Sequence, residues 1–397
     1  VQLRYNYRLY PTPGQQHALA RAFGCARVVF NDALAARREA RAVGLPYLTD
    51  AELSARLTAA KKTPERAWLG EVSAVVLQQA LTDLNAAYRN FLASLAGKRK
   101  GPRMGPPRFR SRKDRRQAIR FTANARFAVT PGGKLRLPRI GDVSVRWSRP
   151  LPSEPSSVTV VRDAAGRYFA SFAIQAGPDA LPETDQVMGI DLGLAHFAVL
   201  SDGRKIASPQ FLRRAEKKLM QAQRALSRKQ TGSQNREKAR IKVARAHARV
   251  TDARRDFHHQ LSTTLIRDNQ AVAVEDLAVK GLARTRMAKS VHDAGWSAFV
   301  RMLEYKARLY GRAFHRIGRF EPTSQTCSAC GARDGPKPLH VRAWQCRKCG
   351  TWLDRDINAA VNVARAAGLA VSACGAQVRP GPVPAQRGEA GTLPGAA

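Results

Sequence analysis

Apolar and polar residues alternate from Leu3 to Tyr10 with the two-residue period of a strand, and Pro11-Thr12-Pro13-Gly14 then supplies a turn. The period lengthens from there. Thr12 to Arg41, Asp50 to Ala60 and Glu71 to Leu95 space apolar side chains three and four apart, as in Val72, Val75, Val76, Leu84, Tyr88 and Phe91. That spacing predicts a helical module. Gly97 to Arg116, rich in Gly, Pro, Arg and Lys, has no period and reads as an extended basic loop. Short alternating runs then fill Ala118 to Ala176: Phe127-Ala128-Val129, Leu135 to Leu137, Val143 to Trp147, Val158 to Val161 and Tyr168 to Ile174. They predict a small β-domain. Because its first strand precedes the helices, the helical module reads as an insertion into it.

Val187 to Leu200 reads as a two-stranded hairpin followed by the turn Ser201-Asp202-Gly203. Two long basic helices are predicted around Gln210 to Lys229 and Gln234 to Arg267. An apolar strand, Ala271 to Val274, ends on Glu275-Asp276. A helix through Trp296, Phe299, Val300, Leu303 and Leu309, a strand near Phe314 to Phe320, a cysteine cluster and a last helix from Asp356 to Ala367 complete the pattern. The Gly-, Pro- and Ala-rich tail, Ala373 to Ala397, reads as disordered.

At 397 residues the chain has room for two to four domains, and its 44% hydrophobic and 25% charged residues exclude wholesale disorder. Charge changes the picture more. Sixty-eight Lys plus Arg against thirty Asp plus Glu leave +38, with a pI near 11.2, so a large polyanion is the expected partner. No apolar run approaches the ~18 residues of a membrane span, and Arg4 and Arg8 without a following apolar region do not form a secretory signal. A soluble cytosolic protein with no membrane partner is expected.

Six cysteines are too few for a disulfide framework, but four stand in two pairs, Cys327/Cys330 and Cys346/Cys349, separated by fifteen residues. This is the spacing of a zinc ribbon with four thiolate ligands, and Gly331 and Gly350 follow the two knuckles directly. Cys25 and Cys374 lack partner spacing and read as a core thiol and a tail thiol. Three acids stand apart in basic surroundings: Asp191 in a strand, Glu275 at a strand end, and an Asp of Asp354-Arg-Asp-Ile-Asn-Ala-Ala360 at a helix start. Elements of this kind can bring carboxylates to one sheet edge, where they hold the Mg²⁺ used for phosphodiester hydrolysis. Helical geometry separates the last two candidates: Asp356, Ala359, Ala360 and Val363 form one stripe, whereas Asp354 precedes the first turn and suits a cap.

The basic runs, Lys98 to Arg116 and Arg213 to Arg255, have few acidic counterparts, and phosphate neutralisation explains them better than solvated faces do. Phe109, Phe121, Tyr88 and Trp147 lie near basic stretches and could stack on bases, but core packing is the favoured reading for each. His258-His259 reads as helix surface.

The motifs also form a familiar set. Arg8-Leu-Tyr-Pro-Thr-Pro-Gly-Gln, Phe23-Gly-Cys-Ala-Arg27, Gly105-Pro-Pro-Arg-Phe-Arg110, Gly189-Ile-Asp-Leu-Gly193, Val274-Glu-Asp-Leu277, Thr323-Ser-Gln-Thr-Cys-Ser-Ala-Cys-Gly331 and Asp354-Arg-Asp-Ile-Asn-Ala-Ala360 occur in this order over about residues 3 to 370. In this the chain resembles TnpB proteins, transposon-encoded nucleases related to type V CRISPR effectors.

The resemblance implies an RNA-guided DNA endonuclease with a multidomain α+β fold. A wedge-type, barrel-like β-domain (1–11 and 111–182) would carry the helical recognition module with its basic loop (12–110). A RuvC-like, RNase H-fold nuclease domain (183–326 and 351–372) would be interrupted by the zinc ribbon (327–350), with 373–397 as the tail. Asp191, Glu275 and Asp356 would be the metal triad, with Asp191 shared by two Mg²⁺ ions ~3.5–4 Å apart. Zinc at Cys327, Cys330, Cys346 and Cys349 would be structural. The partners implied are a guide RNA encoded by the element, the double-stranded target and its displaced strand. The nucleic-acid contacts expected are Lys98, Arg99, Lys100, Arg103, Arg108, Phe109, Arg110 and Arg112 in the loop, and Arg342, Arg347 and Lys348 on the ribbon. The rivals are a nuclease-inactive guided repressor, a general RNA-binding zinc protein, a strand-joining transposase and a type V CRISPR effector.

Overall fold

Thr12 opens the first helix because its hydroxyl accepts from the Gln15 N–H while Gln15 Oε1 accepts from the Thr12 N–H, a reciprocal cap that satisfies two otherwise orphaned donors. A computed structural model describes residues 2–175, 177, 179–338 and 340–369. The chain divides between Ala176 and Gly177 into two compact units.

In the first unit, β1 (Gln2–Tyr10) is followed by α1 (Pro13–Ala42), α2 (Asp50–Ala60) and α3 (Ala74–Leu95) before the sheet resumes. The remaining strands are β2 (Gln117–Thr122), β3 (Ala128–Val129), β4 (Leu135–Leu137), β5 (Gly141–Arg146), β6 (Ser157–Arg162) and β7 (Tyr168–Gln175). They form a seven-stranded antiparallel sheet in the order β2-β6-β7-β1-β5-β4-β3. Among the described residues β2 and β3 are its edges, so the sheet is a half-barrel rather than a closed one. Tyr7, Leu9, Phe121, Val143 and Phe172 pack with Leu19, Phe23, Leu77 and Leu84 in a single core, which fixes the inserted helices on the sheet. Cys25 lies in that core at 1% exposure, as its lack of partner spacing suggested; Cys374 and the tail lie outside the described residues.

The second unit holds a five-stranded sheet of β8 (Val187–Asp191), β9 (His196–Leu200), β10 (Lys205–Ala207), β11 (Ala271–Glu275) and β12 (Ala313–Ile317). Its order is β10-β9-β8-β11-β12; the first three strands are antiparallel, and β8, β11 and β12 run parallel. Between β10 and β11 stand α4 (Phe211–Ser227) and α5 (Gln234–Asp268), the two basic helices. After β11 come α6 (Val279–Leu282), α7 (Ala288–Ala294) and α8 (Trp296–Leu309). A hairpin of β13 (Ala343–Gln345) and β14 (Trp352–Asp354) leads into α9 (Arg355–Ala366).

Strand alternation decides which helix covers which face. Met188, Ile190, Val272 and Val274 share a core with Leu261 and Leu265 of α5 and Phe299 and Leu303 of α8. Gly189 and Ala273 point the other way, where Val363 of α9 meets Ala273 and Ile317. Gly189 permits this approach: a Cβ placed there would lie 2.0 Å from the Ala360 carbonyl oxygen and 2.9 Å from the Ala364 Cβ. No helix among the described residues is long and apolar enough to cross a membrane.

One expectation is corrected here. His258 is not on the helix surface: it is 2% exposed, with Nε2 2.9 Å from the Ala294 oxygen and its ring against Phe197, Phe257 and Phe299. The α5 period carries it inward with Leu261 and Leu265, and burial lowers its pKa to about 4. Phe121 is fully buried in the first core, in line with the reading favoured for it.

Candidate active site and metal centre

Asp191 and Glu275 end two neighbouring parallel strands, which are registered so that Val274 pairs with Ile190. Both share strand parity with the residues facing α9, so their carboxylates emerge on the face that α9 covers. Asp356 stands in the first turn of that helix. Parallel strands and a close helix thus bring three acids from distant parts of the sequence to one edge, the usual place for ligands in such sheets. Burial first, and then the charges of Glu275 and Asp356, raise the Asp191 pKa to about 8, while Arg355 and Arg342 oppose the shift. An all-carboxylate set whose charges repel in this way fits a hard divalent cation.

Each outer carboxylate also has a protein partner. Glu275 Oε1 accepts from the Thr323 hydroxyl at 2.5 Å, and Asp356 Oδ1 lies 3.3 Å from Arg342 Nη1. The neighbouring acids are engaged differently. Asp276 pairs with Arg319 at 2.7 Å. Asp354 caps α9, its Oδ1 accepting from the Asp356 and Ile357 N–H groups at 3.0 and 3.1 Å, and its Oδ2 lies 2.5 Å from Lys205 Nζ. The division between a capping Asp354 and a stripe-borne Asp356 is therefore present in the backbone.

The sulfur atoms of Cys327, Cys330, Cys346 and Cys349 all lie within 4.8 Å of one another, close enough for one metal ion. Two matching turns produce the cluster. Cys327 N donates to Ala332 O and Gly331 N to Cys327 O; Cys346 N donates to Thr351 O and Gly350 N to Cys346 O, all at 2.9 Å. Gly331 and Gly350 adopt φ of +74° and +73°, the left-handed conformation glycine reaches without strain. Burial pushes the Cys327 thiol up to about 12, while hydrogen bonding with Thr351 draws the exposed Cys349 down to about 6. Four soft ligands in two such turns fit zinc.

The basic loop is tethered at one end and open at the other. Arg38 Nη2 donates to Pro107 O at 2.8 Å and its guanidinium covers the Phe109 ring at 4.6 Å. Asn31 exchanges hydrogen bonds with the Arg110 backbone, and the Arg110 side chain is committed to Asp83 at 3.0 Å and to the Phe30 ring. Lys98, Arg99, Lys100, Arg103, Arg108 and Arg112 are exposed, as is half of Phe109. Of the ribbon cations, Lys348 is exposed, Arg342 reaches Asp356, and Arg347 Nε lies 3.4 Å from Asp334.

Three family descriptions match separate regions of the chain: "Helix-turn-helix domain" over residues 1–44, "Probable transposase" over 169–286 and "Cas12f1-like, TNB domain" over 296–363. A Streptomyces pristinaespiralis protein named as an RNA-guided DNA endonuclease is 45% identical over 96% of this chain and 92% of its own length. The chain belongs to the TnpB family of RNA-guided DNA endonucleases. A second TnpB relative, InsQ of Escherichia coli (strain K12), also named as such an endonuclease, is 30% identical over 95% of both chains. The fold is similar to that of the protein in a Cas12f1-sgRNA-target DNA complex, with a TM-score of 0.52 at 16% identity, covering 88% of this chain and 83% of the other.

Sequence reasoning on this TnpB protein missed the polar frame behind the carboxylates: Thr323, Asn358 and Asn362. The signal was available. Two asparagines four apart within a run otherwise made of Ile, Ala and Val, from Ile357 to Ala364, are buried amides that must find partners.

Proposed function

We infer that this chain cuts DNA matched by a guide RNA through metal-dependent phosphodiester hydrolysis at Asp191, Glu275 and Asp356. The observation that carries this reading is the convergence of the three carboxylates at the shared end of β8 and β11, where the Asp191 pKa stands at about 8. In this reading the second unit supplies a RuvC-like, RNase H-fold domain, for which the strand order β10-β9-β8-β11-β12 with a helix crossing Gly189 gives support. The first unit's sheet is the wedge-type domain and α1 to α3 the recognition module. Divalent cations, most simply Mg²⁺, supply charge neutralisation at the scissile phosphate and an activated water. Asp191, Glu275 and Asp356 would hold them.

The ribbon cations Arg342, Arg347 and Lys348 meet the DNA strand beside the carboxylates. Lys98, Arg99, Lys100, Arg103, Arg108, Phe109, Arg110 and Arg112 belong to the RNA-binding surface, with Arg110 acting chiefly to tether the loop. The guide is encoded by the transposon, and base pairing rather than protein contacts selects the target. Zinc in the four-thiol cluster is structural.

Sequencing the RNA that copurifies with the protein tests the reading. A discrete species from DNA adjoining the gene, which directs Mg²⁺-dependent cutting of a matching plasmid, is expected. Heterogeneous RNA and an uncut plasmid would instead favour a general RNA-binding zinc protein.

A further inference from the structure

Thr323 lies in the loop between β12 and the first cysteine knuckle and is 6% exposed. Its hydroxyl donates to Glu275 Oε1 at 2.5 Å, a bond strengthened by the charge of the acceptor. Its carbonyl accepts from Asn358 Nδ2 at 3.2 Å and from Asn362 Nδ2 at 2.8 Å. The same two amides reach Thr326 O at 2.8 and 2.6 Å, and Asn358 Oδ1 accepts from Ser328 N at 2.7 Å. Asn358 and Asn362 stand four apart, hence on one face of α9, and both side chains bond to this single loop. The helix that carries Asp356 therefore also grips the residue that holds Glu275.

A glutamate at a strand end has several side-chain torsions free, and a carboxylate that samples many directions is a poor ligand. A hydroxyl on a residue whose backbone carbonyl is held from behind by two buried amides restricts that freedom. We propose that Thr323 is a positioning residue for metal binding: its hydroxyl aims the Glu275 carboxylate towards Asp191, and Asn358 and Asn362 lock it in register with Asp356. This rests on the assignment of Glu275 to the metal site made above. Residues that orient metal ligands in this way typically contribute ~10–100-fold to metal affinity or activity.

The test compares Thr323→Val, which keeps the shape and removes the hydroxyl, with Thr323→Ser, which keeps the hydroxyl, and with Glu275→Gln. Three quantities are read. They are the Mg²⁺ concentration for half-maximal cleavage by the RNA-loaded complex, Mn²⁺ binding by electron paramagnetic resonance on the full chain freed of nucleic acid, and the thermal midpoint. Thr323→Val is expected to weaken Mn²⁺ binding and raise the Mg²⁺ requirement by about tenfold or more at a nearly unchanged midpoint. Thr323→Ser is expected to stay close to wild type. If Thr323→Val loses the fold, Thr323→Ala is read in its place. Wild-type behaviour of the hydroxyl-free variant beside an inactive Glu275→Gln removes this inference alone, as does a serine variant that falls as far as valine. A Glu275→Gln protein that binds Mn²⁺ and cuts like wild type removes the assignment of Glu275 itself.

Discussion

Asp354 and Asp356 stand two residues apart at the start of α9, yet their surroundings give them different tasks. Asp354 bonds two helix N–H groups and Lys205, so its replacement by Asn, itself a good cap, should leave most activity, while Asp354→Ala should cost about 1 kcal/mol of stability. Asp356 makes no cap; Asp356→Asn should eliminate cleavage with little change in thermal midpoint. Parallel cleavage assays and melting curves of the three variants check this. An inactive Asp354→Asn beside an active Asp356→Asn would reverse the assignment.

At the level of elements, the approach of α9 to β8 sets the position of Asp356 relative to Asp191. A Cβ at Gly189 would collide with the backbone of α9 rather than with a side chain that could yield. Gly189→Ala should therefore cost on the order of 3 kcal/mol and sharply reduce cleavage, although no functional group is lost. A denaturant titration beside the activity assay checks it, and a variant with wild-type stability would mean that α9 sits further from the sheet. The ribbon allows a separate test. Elemental analysis should find one zinc per chain, and Cys327→Ser should lose the metal and destabilise the ribbon, because binding energy at such a site is folding energy. Full stability in a zinc-free protein would contradict this.

Across the whole molecule, the sequence was most legible where one physical signal dominates. Alternation located β1, β7 and the β8–β9 hairpin, helical spacing located α1, α3 and α5, and the cysteine spacing located the cluster. β2 escaped because Arg120 and the preceding arginines mask the inward-facing Ile119 and Phe121. β10 and β13 carry one buried side chain each, against the two leucines that mark the equally short β4, and α6 and α7 are too short to show a period. The carboxylates were found as separate acids. Their convergence depends on parallel pairing of β8 with β11 and on Gly189, contacts between residues far apart in sequence. The charge of +38 pointed to a polyanion without saying which surfaces meet it, and some cations prove to be partly committed, Arg110 to Asp83 and Arg342 to Asp356.

The proposed division of labour gives the cutting to the acids at the end of β8 and β11 and the binding to guide RNA and basic surfaces. It is tested most directly by measuring cleavage and binding of one guide-matched DNA by wild-type protein and by Asp191→Ala, each loaded with the same RNA in Mg²⁺. Asp191→Ala is expected to bind the matched DNA as tightly as wild type and to leave it uncut. Cutting by Asp191→Ala at the wild-type rate would contradict it.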